Sequence, residues 1–352
     1  MARSGLLRAA LLLGLLAAGS ARAEAAPPDL RAQLEKVLAE GASGVSALVM
    51  KDGRLLYRVD VGDAGPDVRL PIASASKWMT AALIMTVVDE GKLSLDEPIG
   101  RRLPQFTGAA GQITLRQLMS FTAGQGSLEG FVDLRQDPHI TLAQAADEIA
   151  ARPLEDPPGA TFRYGGPSLQ VAGALVEQAT GQRWADLFAA RIAGPLGMSH
   201  TYWGNPLRPG LSPSEVLNPN LQAGVYTTAD EYAAFLSMLA ARGMGPKGRI
   251  LSEAAFDQME TVQTGKAVMA YRPPGAAGLQ AYGLGNWCET FDAKGRCGMV
   301  SSPGAFGTYP WIDRDRGIYG VFFLRSRLPL VVKDLTEARR MILAADRAGA
   351  AP

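Results

Sequence analysis

The order of the predicted elements constrains the fold most. Strand patterns occur near the two ends of this chain, and helical patterns occupy its middle. Residues 44–61 alternate apolar and polar around Asp52-Gly53, a dipeptide favoured in two-residue β-hairpins. Strand patterns return at 282–289, 297–301, 306–312 and 317–325. Strands from both ends of one chain predict one antiparallel sheet, and the helical middle then forms a lobe inserted into it.

Helical patterns flank this sheet and make up the inserted lobe. A first helix is predicted over 30–40, with Asp29 as its N-terminal cap, and a last amphipathic helix over about 331–345. A longer apolar helix begins at Ser74. Shorter helices are predicted near 114–121, 141–151, 167–179, 183–193, 229–242 and 252–261. The predicted class is therefore α+β, an antiparallel sheet flanked by terminal helices with a helical lobe at about 92–265. The cleft between the lobes is the expected small-molecule pocket.

The first 23 residues are typical of an export signal. Positive residues precede an apolar stretch at 11–18, and residues 21–23, Ala-Arg-Ala, fit an A-x-A cleavage site. The apolar stretch is short for a membrane span, so we expect no stable span after cleavage and a periplasmic or secreted protein. The alternative is an uncleaved N-terminal anchor. Residues 24–352 are predicted to form one domain.

The two cysteines are predicted to be a structural pair. Cys288 and Cys297 flank residues 292–295, Asp-Ala-Lys-Gly, which resemble a hairpin tip. In an oxidising compartment they would cross-link the two arms and stabilise the fold by roughly 2–3 kcal/mol in the chain-entropy model. The alternative, two free buried thiols, applies if the chain is not exported.

Charge and composition argue against several classes of partner. The chain has 35 Lys+Arg against 34 Asp+Glu and no basic block, which argues against nucleic acid. Two histidines and two cysteines are too few for the usual zinc sites, so no metal and no cofactor is predicted. The sequence carries no signal for an oligomeric state.

A serine and a lysine three residues apart are the strongest chemical signal. On a helix this spacing puts the Ser74 hydroxyl and the Lys77 amine on one face. A serine hydroxyl is a weak nucleophile until a neighbouring base takes its proton, and a lysine of lowered pKa can be that base. Ser76 is adjacent to Lys77 and is the poorer candidate. The alternative is an N-capping serine beside a solvated lysine.

The segments around this pair extend the pattern over most of the chain. They are Pro-Ile-Ala-Ser-Ala-Ser-Lys at 71–77, Val-Asp-Glu-Gly-Lys-Leu-Ser-Leu-Asp-Glu-Pro at 88–98, Ile-Thr-Leu-Arg-Gln-Leu-Met-Ser-Phe-Thr-Ala-Gly at 113–124, Pro-Gly-Ala-Thr-Phe-Arg-Tyr at 158–164, Pro-Leu-Gly-Met at 195–198 and Ala-Gly-Val-Tyr-Thr-Thr-Ala-Asp at 223–230. Their order resembles the serine β-lactamase-related family, which includes class C β-lactamases, D-alanyl-D-alanine peptidases and similar esterases. The resemblance covers residues 44–324 and implies the β-lactamase/penicillin-binding-protein-like fold.

The resemblance also implies roles for particular residues. Tyr164 matches the tyrosine of the family's second motif and would move the proton between serine, lysine and leaving group. The alternative is a buried tyrosine whose hydroxyl is merely satisfied. By analogy, the backbone amides of Ser74 and Ala305 would form the oxyanion hole.

Two positions of the predicted substrate site depart from the family pattern. Gly166 stands where the family has an asparagine, and Ser302 stands where it has Lys or His, while Gly304 is kept. Because Pro303 lacks an N–H, the strand carrying it is expected at a sheet edge. Phe121 replaces a frequent histidine. These losses weaken recognition of a substrate amide or carboxylate and favour esters or small amides over β-lactams.

The predicted function is therefore an exported serine hydrolase that forms an acyl-enzyme on Ser74. Its partner is a small-molecule ester, amide or peptide substrate. One alternative is a D-Ala carboxypeptidase or weak β-lactamase acting on cell-wall material. A second, from a different class, is a non-catalytic cell-envelope binding protein that keeps the fold.

Overall fold

A computed structural model of the chain describes residues 25–126, 131, 134 and 137–349. The predicted export signal lies outside the described residues. Among the described residues, no helix combines the length and apolar character that crossing a membrane requires.

The strands are numbered in chain order. They are β1 Gly44–Lys51, β2 Arg54–Gly62, β3 Arg69–Pro71, β4 Thr161–Arg163, β5 Tyr202–Trp203, β6 Val225–Thr228, β7 Met244–Gly245, β8 Gly248–Arg249, β9 Val268–Tyr271, β10 Ala281–Tyr282, β11 Trp287–Phe291, β12 Cys297–Ser301, β13 Gly307–Asp313 and β14 Ile318–Arg325.

The helices are numbered in the same way. They are α1 Leu30–Ala39, α2 Ser76–Asp89, α3 Gly108–Gly111, α4 Leu115–Met119, α5 Leu142–Ala150, α6 Ser168–Thr180, α7 Trp184–Phe188, α8 Gly194–Leu196, α9 Ala229–Ala240, α10 Glu253–Met259 and α11 Leu328–Gly349.

The main sheet joins the two ends of the chain, as predicted. Its strand order is β10-β11-β12-β13-β14-β1-β2, and every neighbouring pair is antiparallel. Strand β1 pairs with β14 from Val45 opposite Leu324 to Lys51 opposite Ile318. The predicted hairpin turn is confirmed, because Asp52 (φ 49°) and Gly53 (φ 80°) both adopt the positive φ of a type I′ turn. The predicted α+β class, an antiparallel sheet with the terminal helices, is confirmed.

Alternate residues of β14 show how the sheet separates two cores. Phe322 and Leu324 point to the face covered by the terminal helices α1 and α11. Val321 and Phe323 point to the other face, where they join the core that contains α2. Helix α2 is buried on nearly all sides, because its residues are apolar around the whole circumference. The lobe boundaries near 92 and 265 remain a prediction.

Two local predictions are wrong. Asp29 makes no side-chain cap to α1, because its backbone is helical (φ −86°, ψ −3°), and not in the extended conformation that side-chain capping favours. The strand predicted over 282–289 is interrupted between β10 and β11, where Gly285 has φ 85°. A Cβ at Gly285 would lie 2.6 Å from the carbonyl oxygen of Lys77, so this turn packs directly against α2.

The cysteine pair forms the predicted disulfide. Cys288 on β11 and Cys297 on β12 are bonded, with 5.2 Å between their Cα atoms. The predicted tip is a turn in which the Asp292 carboxylate accepts hydrogen bonds from the amides of Lys294 and Arg296. The disulfide therefore links two neighbouring strands of the main sheet.

Candidate active site

The Ser74 hydroxyl and the Lys77 amine meet as their spacing predicts. Lys77 Nζ lies 2.9 Å from Ser74 Oγ, and Ser74 is partly exposed while Lys77 is buried. Ser74 lies in a 3₁₀ turn, Ala73–Ala75, that runs directly into α2. The preceding residue, Ala73, has φ 46°, a conformation that costs a non-glycine residue energy and often occurs at functional sites. Ser76 points elsewhere and accepts a hydrogen bond from the Val225 amide.

The Lys77 side-chain nitrogen is held by groups from distant parts of the chain. Nζ donates to the main-chain carbonyl of Gln222 at 3.0 Å. It lies 4.7 Å from the ring centroid of Tyr164 and 6.0 Å from that of Phe121. Aromatic faces at such distances attract a cation. Nζ therefore has a fixed position between the serine and the tyrosine.

Tyr164 directly follows β4, and this strand places it beside Ser74 and Lys77. Its amide donates to the Tyr271 carbonyl at 3.1 Å, which ties it to β9. Its ring stacks on Trp287 at 5.2 Å and contacts Phe121 and Tyr282. Burial raises the pKa of the phenol well above its ordinary value of 10.0, and side-chain hydrogen bonds with Ser74 and Trp287 lower it by less. Tyr164 is therefore a neutral phenol at neutral pH.

The segment 302–304 lies beside Ser74, but in a turn between β12 and β13. The expectation of an edge strand is wrong, because both strands lie inside the sheet. Pro303 is accommodated because the amides of its neighbours, Ser302 and Gly304, make the bonds to the opposite chain segment, at the Pro310 and Thr308 carbonyls, and no N–H is needed at 303. The Ser302 hydroxyl is buried within hydrogen-bond reach of the Ser74 carbonyl (3.4 Å) and the Gly285 carbonyl (3.3 Å). Its predicted role in substrate binding remains a prediction.

Gly304 makes the contact between this turn and the Ser74 turn. A Cβ at Gly304 would lie 2.1 Å from the Ile72 carbonyl oxygen and 3.4 Å from the Ala75 amide nitrogen. Ala305, which follows, is exposed. The two amides predicted to form the oxyanion hole, those of Ser74 and Ala305, therefore belong to two turns in direct contact. Their role remains a prediction.

Gly166 adopts a backbone that leaves little room for the family's asparagine. Its φ is 71°, and a Cβ there would lie 2.5 Å from the Gly126 carbonyl oxygen. Its own carbonyl accepts a hydrogen bond from the side-chain amide of Gln222. The local backbone at 166 therefore suits a glycine and not the asparagine of the family pattern.

Sequence reasoning missed several residues around the predicted catalytic set. Gln222 contacts both Lys77 and Gly166, and Trp287 stacks on Tyr164. The signal for Gln222 was its position directly before the 223–230 segment of the family pattern. Nothing in the local sequence identified Trp287 or the positive φ of Ala73. Among the residues that the structure describes, no group of three or more His, Cys, Asp or Glu side chains is placed to hold a metal ion.

Several known proteins resemble this chain in sequence or in fold. The esterase EstB of Burkholderia gladioli is 33% identical over 182 residues, which are 44% of this chain and 45% of EstB. This chain therefore spans less than half the length of that relative. A solved structure from Bacteroides dorei DSM 17855, provisionally classed as a beta-lactamase, is 32% identical with a TM-score of 0.78, covering 90% of this chain and 98% of that one.

A more distant solved structure shares the fold alone. The D-amino acid amidase of Ochrobactrum anthropi SV3, solved with L-phenylalanine amide, has a TM-score of 0.69 at 20% identity and covers 92% of this chain and 98% of its own. The family model named Beta-lactamase matches residues 30–345. A match over that range takes in α1, the whole sheet, the helical part between and most of α11. The chain belongs to the beta-lactamase family of hydrolases.

Proposed function

We propose that this protein is a serine hydrolase that forms an acyl-enzyme on Ser74 and acts on esters or small amides. The observation that carries the proposal is the 2.9 Å contact between Ser74 Oγ and Lys77 Nζ beside the buried Tyr164. A nucleophile within hydrogen-bond reach of a base, with a third group beside the base, is the arrangement that acyl transfer requires.

The proposed reaction has two halves. Ser74 Oγ attacks the substrate carbonyl carbon while its proton passes to Lys77 Nζ, which has to be neutral at that moment. The resulting oxyanion is held by the Ser74 and Ala305 amides. When the bond to the leaving group breaks, that group takes a proton through Tyr164. A water molecule then attacks the acyl-enzyme, returns a proton to Ser74 Oγ and releases the acid.

The state of Tyr164 supports its part in this scheme. Burial holds the pKa of the phenol well above 10.0, so the group carries its proton throughout the neutral range. A neutral phenol can donate a proton to a departing alcohol or amine and then regain one from protonated Lys77, whose Nζ lies 4.7 Å from the centroid of the phenol ring. We therefore assign the first proton abstraction to Lys77, and the relay to Tyr164.

Two features favour esters and small amides as substrates. Gly166 supplies no side-chain amide to hold a substrate carbonyl, and Ser302 supplies no cation for a carboxylate. The esterase name of the EstB relative supports the ester half of the proposal. The amidase of similar fold is consistent with the amide half.

A second candidate is a D-Ala carboxypeptidase or weak β-lactamase. Similarity to the Bacteroides dorei protein over 90% of this chain supports it. Both candidates use the same acyl-enzyme and differ in the substrate that acylates Ser74 fastest. A panel of chromogenic short-chain esters, small amides and a chromogenic cephalosporin, measured as kcat/KM, separates them.

The decisive test is acylation of Ser74 itself. We expect a fluorophosphonate probe to label the wild-type protein, with the adduct on the peptide that contains Ser74, and Ser74→Ala to lose both labelling and ester hydrolysis by at least a thousandfold. Ser94→Ala, at an exposed serine, is the matched control and should react like the wild type. Absence of an adduct on Ser74 would favour a non-catalytic cell-envelope binding protein.

We further propose that the protein is exported and works in the periplasm or outside the cell. The disulfide between Cys288 and Cys297 supports this, because such bonds persist in oxidising compartments. Cell fractionation and N-terminal sequencing of the mature protein test it, with Glu24 expected as the first residue. A protein recovered in the cytoplasm with an intact N-terminus would contradict the proposal.

A further inference from the structure

Gln222 lies between the two halves of the predicted catalytic set. Its main-chain carbonyl accepts the hydrogen bond from Lys77 Nζ at 3.0 Å. Its side-chain Nε2 donates to the carbonyl of Gly166, two residues beyond Tyr164. One residue is thus bonded to the lysine on α2 and to the backbone next to the tyrosine. Gln222 is 1% exposed, so both bonds are shielded from solvent.

The segment that carries Gln222 is fixed by buried hydrogen bonds. The Gln222 amide donates to Asn220 Oδ1 at 3.1 Å. The Leu221 amide donates to Gln170 Oε1 at 3.1 Å, and the Leu221 carbonyl accepts from the Thr80 hydroxyl. Gln222 is therefore anchored on α2 and α6 independently of its own side chain. A substitution at 222 can change the side chain and leave the carbonyl in place.

Among the described residues, the side-chain amide of Gln222 makes one hydrogen bond, and that bond fixes its direction. Its Oε1 is buried without a hydrogen-bond partner among the described residues, so the bond from Nε2 to Gly166 orients the group. A buried amide that leaves one atom unsatisfied costs stability, and such groups call for an explanation. A positioning role supplies one.

Gly166 explains why this amide comes from residue 222. An asparagine at 166 would bring its Cβ within 2.5 Å of the Gly126 carbonyl oxygen. The backbone at 166 therefore excludes the side chain that the family pattern places there, and its carbonyl is instead bonded to an amide from across the site.

We propose that Gln222 is a positioning residue that couples Lys77 to Tyr164, with its main-chain carbonyl acting on the amine and its side-chain amide acting on the backbone after the tyrosine. This inference rests on the proposed function. The carbonyl sets the direction of Lys77 Nζ, and the side chain holds the backbone that follows Tyr164 against the same segment. Without the side chain, the phenol and the amine lose their fixed spacing, and proton transfer to the leaving group slows.

Three variants test the proposal through the rate of ester hydrolysis. Gln222→Met keeps the volume and removes the amide, and Gln222→Ala removes both. We expect each to lower kcat on a chromogenic ester about tenfold or more, with KM changed by less than about threefold. Gln222→Glu replaces the donor with a carboxylate beside Lys77. Because a nearby negative charge favours the ammonium, the acidic limb of the kcat/KM profile should move to higher pH by about one unit or more.

Gln33→Ala is the matched control, since Gln33 is also buried and hydrogen-bonded but lies between α1 and α11. It should lower the melting temperature and leave kcat and the pH profile unchanged. Wild-type kcat and an unmoved profile in Gln222→Met and Gln222→Glu would overturn the proposal, and so would losses no larger than those of Gln33→Ala. Labelling of Ser74 in the wild-type protein tests the proposed function by itself. A failure of the inference about Gln222 would therefore leave the proposed function intact.

Discussion

At the scale of single residues, the site depends on close backbone contacts more than on the polar groups that the motifs suggest. Gly304 lies against Ile72 so tightly that a methyl group would be 2.1 Å from the Ile72 carbonyl oxygen. The glycine is thus required by the packing of two turns, whether or not a ligand approaches it. The Ala305 amide follows directly, so its position depends on that packing.

Gly304→Ala is expected to disturb the oxyanion hole. The added methyl must push the turn away from Ser74 and carry the Ala305 amide with it. Loss of one oxyanion donor lowers kcat by roughly a hundredfold or more, so we expect a fall of that size in ester hydrolysis. Steady-state kinetics on a chromogenic ester measure it.

Gly65→Ala is the control for this change, because a Cβ at Gly65 meets no atom within 4 Å. It should hydrolyse the ester at the wild-type rate. A Gly304→Ala protein with wild-type kcat would show that the Ala305 amide takes no part in catalysis.

At the scale of elements, the β11–β12 hairpin connects the disulfide with the site. Trp287, next to Cys288, stacks on Tyr164, and Ser302 directly follows β12. Strand β12 is also paired with β13 from Met299 to Ser301. The hairpin is therefore held at its base by the sheet and toward its tip by the covalent bond.

Removal of the disulfide should lower stability more than activity. For Cys288→Ser/Cys297→Ser we expect the free energy of unfolding to fall by about 2–3 kcal/mol, because the unfolded chain regains the freedom of the closed loop. The rate of ester hydrolysis at 25 °C should stay within about threefold of the wild type, since strand pairing still holds Trp287.

Denaturant unfolding with and without a thiol reductant measures the effect. The reductant should bring the wild type to the stability of the double variant and leave the variant unchanged. Equal stability of both proteins in oxidising buffer would contradict a stabilising disulfide.

At the scale of the whole molecule, a cluster of largely buried polar side chains ties the terminal helix to the sheet. Arg339 on α11 donates to both carboxylate oxygens of Glu289 on β11, at 2.9 and 2.7 Å. The Tyr309 hydroxyl on β13 donates to the same carboxylate at 3.2 Å. Burial raises the pKa of Glu289, but hydrogen bonds and the charge of Arg339 outweigh it and leave that pKa below 4.5. Burial raises the pKa of Tyr309 to about 12.

These shifts predict the pH range of stability. A lowered carboxyl pKa contributes stability above about pH 4.5, and this contribution is lost as pH falls through the folded value. A raised phenol pKa contributes stability that is full below pH 10.0 and is lost between about 10 and 12. The free energy of unfolding, measured with denaturant at a series of pH values, should therefore be highest at intermediate pH and fall at both acidic and alkaline pH. For Tyr309, a shift of two pKa units corresponds to about 2–3 kcal/mol in the free energy of unfolding.

Tyr309→Phe provides the check on the alkaline side. It removes the ionising group, so the loss of stability above pH 10.0 should become smaller by about 2–3 kcal/mol. Glu289 also loses one hydrogen bond, and this second effect is present at every pH. Tyr226→Phe is the control, since Tyr226 is only partly buried and its pKa is raised less far. An unchanged alkaline limb in Tyr309→Phe would assign that loss to other groups.

The sequence by itself determined the features that rest on local spacing and periodicity. The Asp52-Gly53 turn, the antiparallel sheet and the Ser74–Lys77 contact follow from patterns within a few residues or from the order of elements. Only the tertiary structure decided which carbonyl holds Lys77, why Gly304 is a glycine and how Gln222 reaches Gly166. These contacts join segments far apart in the chain, and each depends on atomic distances that packing sets and that no local pattern encodes.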